Sequence, residues 1–200
     1  MFTNYKKFMA GLLALATGFA VSSNIVSAKA ATPTVLETST TSNISSLSEE
    51  EIAGLLFMRE EEKLARDVYN QLYELWRQPI FKNIAASEQM HMDQIKSLLD
   101  RYDLTDPALG PGQFADPALQ ALYNQLIAQG SLSLADALNV GALIENTDIA
   151  DLQTHLSQTN QADIQLVYTN LMNASYNHLA AFTGAQSQGY GKGRGNSPRR

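Results

Sequence analysis

Glu62, Glu88, His91, Glu145 and His178 are the residues of this 200-residue chain best suited to chemistry. Glu88 and His91 stand three apart, as Glu-x-x-His, which puts a carboxylate and an imidazole on one face of a helix. Such side chains supply the oxygen and nitrogen ligands that suit iron, manganese or zinc. The chain has no cysteine, so thiolate zinc sites, iron–sulfur clusters, disulfides and cysteine catalysis are all excluded. Any metal must be held by oxygen and nitrogen.

The elements that position these residues follow from composition and periodicity. Charged residues make up 17% of the chain, and plentiful alanine, leucine, glutamine and asparagine favour an all-α fold. Ser48, with Glu51 three residues on, forms a capping box, and Leu47 with Ile52 a hydrophobic staple. Helices are expected over about 49–77, 80–103, 133–157 and 161–183, with a short one over 117–129; Gly130, Ser133, Thr159, Asn160 and Gly184 supply stops and caps. Steps of three and four trace an apolar stripe along each long helix. The first runs Leu55, Met58, Glu62, Ala65, Tyr69, Leu72, Trp76, and the second Phe81, Ile84, Glu88, His91, Ile95, Leu98, Tyr102. The third runs Ala135, Leu138, Ala142, Glu145, Ile149, Leu152, Leu156, and the fourth Ile164, Tyr168, Leu171, Ser175, His178, Phe182. Every stripe is broken near its middle by polar residues. One buried glutamate finds a partner in Arg59 or Arg66, but three carboxylates facing one core repel each other, and a divalent cation cluster resolves the conflict. The alternative is a metal-free buried polar network.

The ends of the chain read differently. Lys6 and Lys7 precede an uncharged run from Phe8 to Val21, and Ala28-Lys29-Ala30 has the A-x-A form of a cleavage site, so residues 1–30 read as a secretory signal peptide. The run falls short of the ~20 residues of a membrane span. A secreted or periplasmic protein is expected, with no membrane span after cleavage. Residues 31–46 read as a disordered linker and 185–200 as a disordered basic tail. Loss of the three lysines in residues 1–30 takes the formal net charge from −6 to about −9, and the body of the chain has no basic cluster, which argues against nucleic-acid binding.

Glu62 followed by Tyr69, then Glu88-x-x-His91, Glu145 and His178, resembles the ferritin-like superfamily of di-iron carboxylate proteins. The stretches MREEEKLARDVY, FKNIAASEQMH, ALIENTDIADL and SYNHLAAF are similar to its branch catalogued as domain of unknown function 2202, over about residues 47–184. The resemblance implies an up-down four-helix bundle with a long crossover over about 104–132 that carries the short helix. It implies Glu62 and His91 as ligands of a first metal, Glu145 and His178 of a second, Glu88 as the bridge, and Tyr69 as a catalytic hydrogen-bond or electron donor. Two iron ions are the implied cofactor, with manganese or zinc as substitutes and O₂ or peroxide as reactant. The implied activity is that of an oxidoreductase of ferroxidase or peroxidase type; the rival is a non-catalytic metal-sequestering or structural bundle of the cell envelope. Ser175 stands where many relatives have the glutamate of a second Glu-x-x-His, which removes one bridging carboxylate.

Other residues read as ordinary. His155, near a helix end, is expected to face solvent and meet the helix dipole. Glu60 and Glu61 read as solvated; Asp148, one step off its stripe, reads as an exposed acid, with compensation for the carboxylate missing at Ser175 as the alternative; Trp76, Phe81 and Tyr102 read as core aromatics. No Gly-x-Gly-x-x-Gly, Walker or Gly-x-Ser-x-Gly motif supports a nucleotide-dependent or serine-hydrolase reading.

Overall fold

A computed structural model of the chain describes residues 46–187, all of whose regular structure is helical. The expected signal peptide, and all but the margins of the expected linker and tail, lie outside the described residues. The helices are α1 (Glu49–Trp76), α2 (Pro79–Arg101), α3 (Pro117–Gly130), α4 (Leu134–Ser157) and α5 (Ala162–Ser187).

Local sequence fixes where they begin. Ser48 caps α1 in a full capping box with Glu51. Pro79 opens α2, where its missing N–H costs nothing. Asp116 and Ser133 accept hydrogen bonds from the first turns of α3 and α4. Gly184 does not end α5, which continues to Ser187, so residues 185–187 of the expected tail are helical. Fully buried Phe182 and a hydrogen bond from Gln186 to Asn139 hold this last turn on α4.

Contacts between the long helices define their directions. Arg59 and Arg66 of α1 reach Met92 and Gln89 of α2, and Gln153 and Asn139 of α4 reach Tyr176 and Gln186 of α5, so both pairs run antiparallel. Likewise Phe57 and Tyr69 of α1 meet His155 and Glu145 of α4, and Phe81 and Arg101 of α2 meet Phe182 and Asp163 of α5. Each long helix is therefore antiparallel to both neighbours. Because α2 ends beside Asp163 and α4 starts near Trp76, the chain between them travels the length of the bundle, and α3 lies on this stretch.

The core is layered. One end is apolar, built from Leu55, Met58, Ile95, Leu99, Leu152 and Leu171 among others. The other end stacks Tyr69, Phe182 and Phe81, with ring centroids 5.3 and 5.8 Å apart. Polar residues occupy the middle. Among the described residues, no helix is long and apolar enough to cross a membrane.

The aromatic layer depends on a close approach. A Cβ on Gly141 would sit 2.5 Å from the Phe182 ring, which cannot withdraw from Tyr69 and Phe81 without opening the layer. Gly141→Ala should destabilise the fold by about 1–3 kcal/mol, as overpacking of a filled core does. Denaturant unfolding checks this, and an unchanged midpoint would mean the layer is looser than described.

Candidate metal centre

The five ligand candidates come together at mid-height, on four helices. Two groups of three, Glu62–Glu88–His91 and Glu88–Glu145–His178, each place their ligand atoms within 4.8 Å of one another, and Glu88 belongs to both. Nδ1 of His91 lies 2.7 Å from Glu88 Oε2 and 3.1 Å from Glu62 Oε2. Nδ1 of His178 lies 3.0 Å from Glu88 Oε1 and 3.4 Å from Glu145 Oε2, without the alignment of a hydrogen bond. The two imidazoles stack with centroids 5.7 Å apart. Tyr69, fully buried, donates to Glu145 Oε1 at 2.6 Å. Ser175 is buried too, and its hydroxyl donates to Asp148.

The arrangement lacks positive charge. Arg59 is engaged with Asp106 and the Met92 carbonyl, and Lys63 and Arg66 with Asp67, so none of these cations reaches the centre. Protons stand in. Burial opposes charge on both histidines, yet the carboxylates beside them outweigh it: Glu62 and Glu88 raise His91 to about 11, and Glu145 and Glu88 raise His178 to about 9. Burial pushes Glu62 up to about 8 and Glu145 to about 7, against the pull of His91 and His178 respectively. Burial also works against Glu88, but His178 and His91 together hold it down near 2. Even so, Glu62 Oε1, Glu88 Oε1 and His178 Nδ1 are left buried without a hydrogen-bond partner. Buried atoms of this kind are costly unless something satisfies them, and all three are metal-ligand types, so the residues fit a pair of cations.

Four residues differ from expectation. Asp148 is buried, 6% exposed, because α4 packs against α1 on one side and α5 on the other, a wider face than a single stripe. Glu61, also buried, faces Asp148 and Asp151 from α1. Burial, the largest cause, and then neighbouring carboxylates hold Glu61 and Asp148 well above the usual carboxylate range. Glu60 is buried under the crossover and accepts a hydrogen bond from the Ala115 N–H. His155 is half-buried between Phe57 and Tyr168, and its Nδ1 meets Gln158. The crossover also explains Lys63, fully buried yet satisfied by Asp67, the Gln113 carbonyl and the Phe114 ring. The remaining candidates lie in or near the core as expected, with Trp76 and Phe81 buried and Tyr102 half-buried, its hydroxyl on Asp163.

The direction of these shifts sets a pH dependence. Glu62, Glu145 and His178 all bind protons more tightly folded than unfolded, so their contribution is full below the unfolded values of 4.5 and 6.5 and is lost as pH rises through about 8, 7 and 9. Glu88 acts oppositely, its contribution being present above 4.5 and lost as pH falls through about 2. The metal-free chain should therefore lose thermal stability between about pH 5 and pH 9, while saturating Mn²⁺, which needs the deprotonated ligands, should abolish that loss. Thermal melts across this range check it, and a metal-free midpoint that stays level or rises would contradict it.

Comparison with known proteins places the chain in a family. The chain is 53% identical over 138 residues to the uncharacterized protein MJ0754 of Methanocaldococcus jannaschii, covering 68% of this chain and 75% of that one. The crystal structure of that hypothetical protein superposes with a TM-score of 0.67, over 68% of this chain and 79% of the other. The crystal structure of a DUF305 fragment from Deinococcus radiodurans, 14% identical, superposes at 0.56 over 70% of this chain and 97% of the fragment, a likeness of fold alone. Residues 51–192 match the uncharacterized protein domain DUF2202, and the chain belongs to that family.

Proposed function

We propose that the protein is a ferritin-like oxidoreductase whose bundle holds a two-iron carboxylate centre and oxidises Fe²⁺ with O₂ or peroxide outside the cytoplasm. The observation that carries this reading is the pair of buried triads sharing Glu88, with no lysine or arginine among them. The antiparallel order of the long helices and the full-length crossover support the ferritin-like topology. The basic, apolar and A-x-A segments at the start of the sequence support export.

Glu62 and His91 would hold one ion, Glu145 and His178 the other, and Glu88 would bridge them. Bound iron supplies electrons: oxidation of two Fe²⁺ provides the pair that, with two protons, reduces hydrogen peroxide to two waters. Tyr69 keeps a proton at Glu145 Oε1 and orients that carboxylate. The apolar layers above and below exclude water, and His178, its side chain 11% exposed, is the most open of the five. Manganese or zinc would find the same donors acceptable.

Ser175 favours a second reading. With a hydroxyl where a bridging carboxylate would stand, the bundle would sequester Zn²⁺ or Mn²⁺ without turnover. Elemental mass spectrometry beside oxygen and peroxide consumption separates the two. The proposal expects about two iron ions per chain more in the parent than in the Glu88→Ala/His91→Ala variant, and oxidant consumption on Fe²⁺ addition in the parent alone. Bound zinc or manganese without turnover would favour sequestration. No metal in the purified chain, and none after reconstitution with Fe²⁺, Mn²⁺ or Zn²⁺, would overturn both readings.

A further inference from the structure

Beside the two triads lies a group of acids that the centre does not use. Along α4, Glu145, Asp148, Asp151 and His155 follow at steps of three, three and four, which keeps them on one face over about 15 Å. Glu61 of α1 faces this row, close enough for its carboxyl group to act on those of Asp148 and Asp151. Glu61 and Asp148 are each more than nine-tenths buried, whereas Asp151 is half-buried and forms the outer end of the row. Glu61 Oε2, Asp148 Oδ1 and Asp151 Oδ2 are all shielded from solvent and all lack a hydrogen-bond partner. The neighbouring cations are committed elsewhere, Arg59 to Asp106 and Lys63 to Asp67. A hydrophobic interface would be cheaper to build than this, since unpaired buried carboxylates destabilise a core strongly. Unlike the ligand atoms of the two triads, these oxygens are not gathered within 4.8 Å, so an ion here is held by few side chains at once and keeps part of its water shell.

We propose that Glu61 and Asp151, backed by Asp148, form a further divalent-cation site on the α1–α4 face, from which Fe²⁺ passes inward to the centre. The all-oxygen donor set suits hard divalent ions, Mn²⁺ among them, and holds Fe²⁺ less firmly than the mixed oxygen and nitrogen donors of the centre, which favours onward transfer. Asp148 joins the two regions: its carboxylate feels Glu62, Glu145 and Glu88 on the inner side and Glu61 on the outer, and Ser175 holds its other oxygen. The site rests on the proposed centre for its destination and not for its own binding.

The test uses the full-length chain, the Glu61→Gln/Asp151→Asn variant and the Glu88→Ala/His91→Ala variant, with Mn²⁺ as probe in titrations followed by electron paramagnetic resonance. Amides keep the shape of the acids and remove their repulsion, so the first variant should melt no lower than the parent without metal, which establishes that it folds. The parent should bind about one Mn²⁺ more than Glu61→Gln/Asp151→Asn, and Glu88→Ala/His91→Ala should retain that ion. Anaerobic mixing with Fe²⁺, quenched by a chelator at successive times, should show the amide variant reaching the parent's final content at the centre on the order of tenfold more slowly. Equal Mn²⁺ stoichiometry in the parent and the amide variant overturns the site, and equal loading rates overturn the route. If the only ion bound by the parent is the one the amide variant lacks, the site stands and the two-metal centre falls.

Discussion

The carboxylate of Glu88, held between two imidazoles inside an apolar bundle, is the constraint on which the rest of the structure turns. Its two oxygens face different histidines, one from its own helix and one from α5, so α2 and α5 must pack with His91 and His178 at the same height. Glu62 and Glu145 then approach from α1 and α4, and each adds negative charge that only a proton or a cation can offset. All four long helices thus converge on one carboxylate. A core designed for stability alone would use leucine here, and the persistence of this polar layer between two well-packed apolar ones is the physical reason to read it as a site.

The second organising element is the crossover along α1. Between Met58 and Ala65 that helix is buried around its whole circumference, although the sequence MREEEKLA carries five charges. The charged side chains turned away from the centre hold the crossover in place. Arg59 forks onto Asp106, Glu60 takes the Ala115 N–H, and Lys63 with Asp67 binds the Gln113 carbonyl and the Gly112 N–H. These contacts consume the positive charge of α1 on its outer side and leave the inner side acidic. The electrostatic character of the centre is therefore set partly by where the crossover lies.

Much of this was legible in the sequence because it depends on periodicity. A polar residue interrupting an apolar stripe marks a buried charge, and that logic alone brings Glu62, Glu88, His91, Glu145 and His178 to one level. The starts of α1 and α4 follow from Ser48 and Ser133, whose side chains cap the helices locally. What escaped was the burial of Glu60, Glu61 and Asp148, for one shared reason. A stripe of alternating threes and fours describes a helix with one buried seam, whereas α1 and α4 each meet several neighbours and bury much wider faces. His155 escaped because its aromatic partners, Phe57 and Tyr168, lie on other helices, and the end of α5 because Gly184 adopts no left-handed turn there.

Anomalous diffraction from crystals grown with Fe²⁺ in the absence of oxygen, recorded across the iron absorption edge, tests the central claim most directly. The account predicts a pair of iron peaks flanking Glu88, one beside Glu62 and His91 and the other beside Glu145 and His178. A map with no peak between these side chains, and with both imidazoles still paired to Glu88, would contradict it.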